Sequence, residues 1–139
     1  MSYLLDTNVV SEVVWPRPSP FVVGWLNAVP ASSLHLSVLT IGEIREGVER
    51  LPGGPRRERL LGWLEREVPA WFESRLLPVT ASIADRWGRL LVEVGRPVGA
   101  VDSLLAATAL HHGLRVVTRS VRDFRYPGLE VVNPWANGG

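Results

Sequence analysis

Short apolar runs alternate with longer helical stretches along the chain, and this alternation restricts the fold more than any other feature. The runs are Tyr3-Leu4-Leu5, Leu34-His35-Leu36, Leu76-Leu77-Pro78-Val79, Val116-Val117 and Glu130-Val131-Val132. Helical periodicity fills the gaps, over 7–14, 20–28, 38–51, 56–71, 80–94 and 101–112. Strands joined through helices pair in parallel, so the expected class is α/β: a three-layer α/β/α sandwich with a short, mainly parallel central sheet. Local punctuation agrees. Trp15-Pro16-Arg17-Pro18 breaks the first helix, and Ser19 and Pro20 open the second as cap and first helical residue. Pro52-Gly53-Gly54-Pro55 ends the third helix, and Gly113 closes the last. Pro78 places its strand at a sheet edge. The helix over 80–94 should turn Ile83, Ala84, Trp87, Leu90 and Leu91 inward and stop at Gly95. Residues 1–134 are expected to form one domain, with 135–139 a frayed tail.

An open parallel sheet places its ligands outside the carboxyl ends of its strands. Asp6, Glu43, Asp102 and Asp123 all fall at that edge. Asp6 and Asp123 follow strands. Glu43 lies near the start of a helix that leaves a strand, and Asp102 begins a helix that returns antiparallel to the sheet. Each acid also has a purely local reading. Asp6 can cap the helix that starts at Thr7, and Asp102 the helix that follows it. Thr40 to Glu43 fits a capping box, and Ser120 to Asp123 a turn. Taken together, four acids on one rim repel strongly unless a cation sits between them. An all-oxygen set without Lys or His suits Mg²⁺ or Mn²⁺ and metal-assisted phosphoryl chemistry, most simply the cutting of nucleic acid.

Composition removes other chemistries. There is no Cys, which excludes disulfides, thiolate catalysis and zinc–thiolate sites. Every basic residue is Arg, so no mechanism needing a catalytic Lys is available, whereas bidentate phosphate contacts are. A net charge of +1 does not by itself announce a nucleic-acid binder. No apolar run approaches a membrane span, and the amino terminus lacks the basic segment of a signal peptide, so a cytoplasmic protein is expected.

Leu4-Leu5-Asp6-Thr7-Asn8, Ser37-Val38-Leu39-Thr40-Ile41-Gly42-Glu43-Ile44, Val101-Asp102-Ser103-Leu104-Leu105-Ala106-Ala107-Thr108-Ala109 and Val117-Thr118-Arg119-Ser120-Val121-Arg122-Asp123-Phe124 resemble, in order and spacing, the motifs of the PIN domain. More narrowly the chain resembles VapC-type toxins of the FitB-like branch, over nearly its whole length. The resemblance implies a metal-dependent endoribonuclease, the toxin of a type II toxin–antitoxin pair, with Mg²⁺ or Mn²⁺ on Asp6, Glu43, Asp102 and Asp123. It implies Thr7 and Thr118 as polar support, a symmetric homodimer, and an antitoxin that blocks the site and carries the pair to DNA. One position departs from the family: Ser120 stands where Asn is usual, which alters the bonding near Asp123.

Arg119, Arg122 and Arg125 flank Asp123 and are candidates for holding RNA phosphates. Arg56, Arg57 and Arg59 read as a solvated helix face, and His35, His111 and His112 lack ligand spacing. Trp15, beside its Pro-rich break, is expected to be partly exposed and to line an apolar antitoxin groove, with helices 19–28 and 38–51 adding apolar surface. A competing function is a weakly active or inactive PIN domain that serves mainly as partner of a DNA-binding antitoxin. Phosphotransfer through an aspartyl phosphate is set aside, because Asn8 replaces the second acid of one such motif and a receiver domain's Lys is missing.

Overall fold

Leu4 and Leu5 are neighbours in sequence yet belong to different hydrophobic cores. Side chains alternate across a strand, so one strand can feed a core on each face of a sheet. In the computed structural model, which describes residues 1–136, Tyr3–Leu5 (β1) is the middle strand of five. The others are Leu34–Ser37 (β2), Leu76–Leu77 (β3), Arg115–Val117 (β4) and Val131–Val132 (β5). Their order is β3-β2-β1-β4-β5, and every neighbouring pair is parallel. Val116 and Val117 repeat the alternation of Leu4 and Leu5, each joining the same core as its β1 partner.

Helices cover both faces, as the alternation of strands and helices requires. Thr7–Glu12 (α1), Pro20–Ala28 (α2) and Val38–Glu49 (α3) pack on the Leu5 face through Val9, Val22, Ile44 and Val48. Pro55–Gly62 (α4) and Val68–Phe72 (α5) complete that layer. Ala81–Val94 (α6) and Ala100–His112 (α7) cover the Leu4 face through Ile83, Leu90, Leu105 and Ala106. The chain winds outward from β1 through β2 to β3, then returns to add β4 and β5 on the other side. The strand order therefore reverses between β1 and β4, the place at whose carboxyl ends open parallel sheets bind their ligands. β3, with Pro78 just beyond it, is an edge strand as expected.

Several local expectations need correction. Ala84 is exposed, because the buried stripe of α6 runs through Ile83, Trp87, Leu90 and Val94 and Ala84 falls one step round the helix. Ser19 makes no side-chain cap; instead its N–H donates to Glu12 Oε2 at 2.8 Å. The helix expected over 56–71 contains a wide turn at Trp63–Glu67, where the Val68 N–H reaches back to the Trp63 carbonyl. Pro69, which has no N–H to donate, follows that turn. Of the tail expected over 135–139, residues 137–139 lie outside the described residues. Trp135 is half-buried against the Leu5 core, and its N–H donates to Asn133 Oδ1 at 3.0 Å. Among the described residues no helix is long and apolar enough to cross a membrane.

Candidate active site

Asp6 leaves β1 beside the point where the strand order reverses, and its N–H donates to the Val117 carbonyl of β4 at 2.9 Å. Its two carboxylate oxygens have different tasks. Oδ1 accepts from the Thr7 N–H at 2.8 Å and caps α1; Oδ2 accepts from Thr118 Oγ1 at 2.7 Å. The cap reading is thus correct and incomplete, since a simple cap needs no partner across the sheet. Asp6 is 9% exposed. Burial pushes its carboxyl above the ordinary range, Asp123 pushes the same way, and the bonds from Thr118 and Thr7 pull it back.

Glu43 is exposed on α3 and accepts from Thr7 Oγ1 at 2.6 Å. It is not part of a capping box. Ser37 caps α3, with Oγ accepting from the Leu39 N–H at 3.1 Å, and Thr40 is buried within the helix, its hydroxyl unpartnered among the described residues. Thr7 therefore bridges two acids, its N–H on Asp6 and its hydroxyl on Glu43.

Asp102 is the third residue of α7 rather than its cap, a position held by Gly99. Among the described residues its carboxylate has no hydrogen-bond donor. Burial, then Asp6, Asp123 and Glu43 in that order, raise its pKa to about 6. A helix N-terminus favours an anion by ~0.3–1 kcal/mol. Burial and the three acids all act against that help. Asp123 is exposed in the turn Val121–Phe124, which is pinned by the Asp123 N–H on the Ser120 carbonyl at 3.0 Å and by buried Phe124. Four carboxylates thus influence one another without a basic side chain among the causes of Asp102's shift. The donor set fits a hard divalent cation. Among the described residues no group of three or more acids or histidines is already drawn together as a finished cage.

Removing one charge should stabilise the metal-free protein. Asp102 is neutral in both folded and unfolded chains below about pH 4, ionises first in the unfolded chain as pH rises, and carries its full penalty above about pH 6. Asp102→Asn in EDTA should therefore raise the melting temperature at pH 7.5, by roughly 4 °C for a gain of about 1 kcal/mol, and by much less at pH 4. An equal shift at both pH values would separate Asp102 from the other acids.

Thr118 Oγ1 donates to Asp6 and accepts from the Ser120 N–H at 2.9 Å, and it is fully buried. Sequence reasoning missed Asn8. Its Nδ2 lies 3.4 Å from Thr118 Oγ1 and 3.3 Å from Ser120 Oγ, and its Oδ1 accepts from the Arg119 N–H at 3.3 Å. Asn8 thus supplies the amide donor that Ser120 lacks. Its place directly after Asp6-Thr7 was the available signal. Tyr126 was also missed. Its phenol is buried without a partner among the described residues and is pushed above its ordinary pKa by burial first and then by Asp102. Arg119, Arg122 and Arg125 are all exposed and, among the described residues, pair with no carboxylate.

Trp15 is 53% exposed, as expected, and borders a groove of about 220 Å³ with Val14, Ile44, Val48, Leu60 and Trp63. The Arg56 guanidinium lies 5.8 Å from the Trp15 ring centre, and Phe21 on α2 and Val38 on α3 are also exposed.

The PIN domain family matches residues 3–126. The chain is 36% identical to VapC ribonuclease Y4jK of Sinorhizobium fredii over 135 residues, 95% of this chain and 96% of that protein. It is equally similar to toxin FitB of Neisseria gonorrhoeae, at 36% over 95% of this chain and 97% of the other. A structure of FitAB bound to the IR36 DNA fragment superposes with a TM-score of 0.88 at 34% identity, covering 96% of both chains.

Proposed function

The chain belongs to the PIN domain family, and from that membership we propose that it is a metal-dependent endoribonuclease, the toxin of a type II toxin–antitoxin pair. The observation that carries this reading is Asp102, a carboxylate without a donor among the described residues, raised to about 6 by burial and by three further acids. Asp6, Glu43, Asp102 and Asp123 would hold Mg²⁺ or Mn²⁺. The bound cation would act as a Lewis acid on the scissile phosphate and on the water that attacks it. The protein's own part is orientation. Thr7 fixes one oxygen of Asp6 and holds Glu43, while Thr118 fixes the other oxygen of Asp6. Asn8 and Ser120 hold the loop that carries Thr118 and leads to Asp123. Arg119, Arg122 and Arg125 would grip RNA phosphates with donors that no carboxylate occupies.

The relatives named a VapC ribonuclease and a toxin support this reading, and the FitAB structure on DNA supports an antitoxin through which DNA is reached. The groove beside Trp15 would seat an apolar antitoxin segment ending in a basic residue that reaches the acids, where an Arg would take the cation's place. Exposed Phe21 and Val38 would contribute to a symmetric homodimer. The test is hydrolysis of single-stranded RNA by the isolated protein. Cleavage should require Mn²⁺ or Mg²⁺ and stop in excess EDTA. Antitoxin and operator binding without cleavage under any divalent metal would favour the competing reading of an inactive partner.

A further inference from the structure

Arg119 and Trp135 leave adjacent parallel strands at the same edge of the sheet. Arg119 lies two residues past β4 and Trp135 three past β5, and the Arg119 guanidinium sits 5.3 Å from the Trp135 ring centre. That edge is the one from which Asp6 emerges, on the strand that pairs with β4. Both residues are anchored through their backbones: the Arg119 N–H by Asn8 Oδ1, the Trp135 N–H by Asn133 Oδ1. The guanidinium itself is not. Arg75 and Arg96 also lie over aromatic rings, but each donates to main-chain carbonyls, while Arg56, over the exposed Trp15, sits on α4 rather than after a strand. Arg119 is exposed, and its side chain donates to no acceptor among the described residues. A planar cation thus lies over a half-buried indole, its donors unspent among the described residues, at the sheet edge from which Asp6 emerges.

We propose that this pair is a nucleobase seat. It rests on the ribonuclease reading and deepens it: a base of single-stranded RNA, next to the phosphate held at the acids, stacks on the outer face of Arg119 while Trp135 supports the inner face. Stacking on a flat cation tolerates every base, so the seat selects unpaired RNA over duplex rather than one sequence. Charge alone does not provide it, because a Lys ammonium has no plane to stack on.

The test uses the full chain with Asp102→Asn as reference, so that RNA is bound and not cut. The probes are a fluorescein-labelled single-stranded oligoribonucleotide and a set of copies, each with one abasic residue at a successive position. In the reference protein, one abasic position should weaken binding by about 5- to 150-fold, the range of one base–aromatic stack. Adding Arg119→Lys or Trp135→Leu should abolish that positional penalty, leaving intact and abasic oligonucleotides bound alike. Arg119→Lys keeps the charge and leaves Trp135 in place, so it stands if Trp135→Leu fails to fold. A reference protein indifferent to every abasic position, or a penalty that survives Arg119→Lys, overturns the seat. Failure of the ribonuclease reading itself looks different: the wild-type chain neither cuts RNA with Mn²⁺ nor binds the intact oligonucleotide.

Discussion

Asp102→Asn is expected to lower the metal-dependent cleavage rate about a thousandfold or more, a loss of ~4 kcal/mol of transition-state stabilisation, without loss of fold. The substitution keeps shape and removes charge. Among the described residues nothing donates to this carboxylate, so no internal bond is broken, and the three acids that raise it lose a repulsive neighbour. Loss of activity should therefore accompany a gain in metal-free stability, a pairing that a structural residue would not show. Asp6 is a less clean probe, because its oxygens also cap α1 and accept from Thr118. Single-turnover cleavage at saturating Mn²⁺, with a thermal melt of the same preparation, decides the matter. A rate within tenfold of wild type would remove Asp102 from the metal site.

The framework of the fold was readable because its signals are local. Leu4-Leu5 before Asp6 needs only period-two alternation and a following helix, and Pro78 places β3 at an edge through one missing donor. The acids were readable for a related reason. In a parallel sheet, position after a strand determines which rim a residue occupies, so sequence order puts Asp6 and Thr118 on one rim, and the pairing of β1 with β4 then brings them side by side. What was not readable depends on partners distant in sequence or on precise rotation. Asn8's place after Asp6-Thr7 marks it, but its task depends on Thr118, Arg119 and Ser120, more than a hundred residues later, coming within bonding distance. Ala84 satisfies a hydrophobic pattern that Trp87 and Val94 satisfy better, and only packing against α7 decides which stripe is buried. The wide turn at 63–67 reflects Pro69 acting on carbonyls behind it, which periodicity does not reveal.

Trp15→Ala should weaken binding of the proposed antitoxin by about 2 kcal/mol, roughly 30-fold, as loss of a buried aromatic anchor does. It should leave metal-dependent RNA cleavage by the free toxin within about twofold of wild type, a loss of less than ~0.5 kcal/mol. In the free chain Trp15 is more than half exposed, and the guanidinium of the exposed Arg56 lies 5.8 Å from its ring centre. Truncation therefore costs the isolated fold little, within the ±0.5 kcal/mol typical of surface positions. The same ring becomes fully buried if an apolar segment fills the groove between Val14, Ile44, Leu60 and Trp63, and its area then counts toward affinity. The groove is separate from the hydrogen-bond network around Asp6, which runs through Thr7, Thr118 and Asn8 without involving Trp15. Titration of antitoxin into wild-type and variant toxin, with cleavage assayed on the same samples, separates the two roles. Lost cleavage with antitoxin affinity intact would reverse the assignment and place Trp15 on the RNA path, with Arg56 beside it as a phosphate contact.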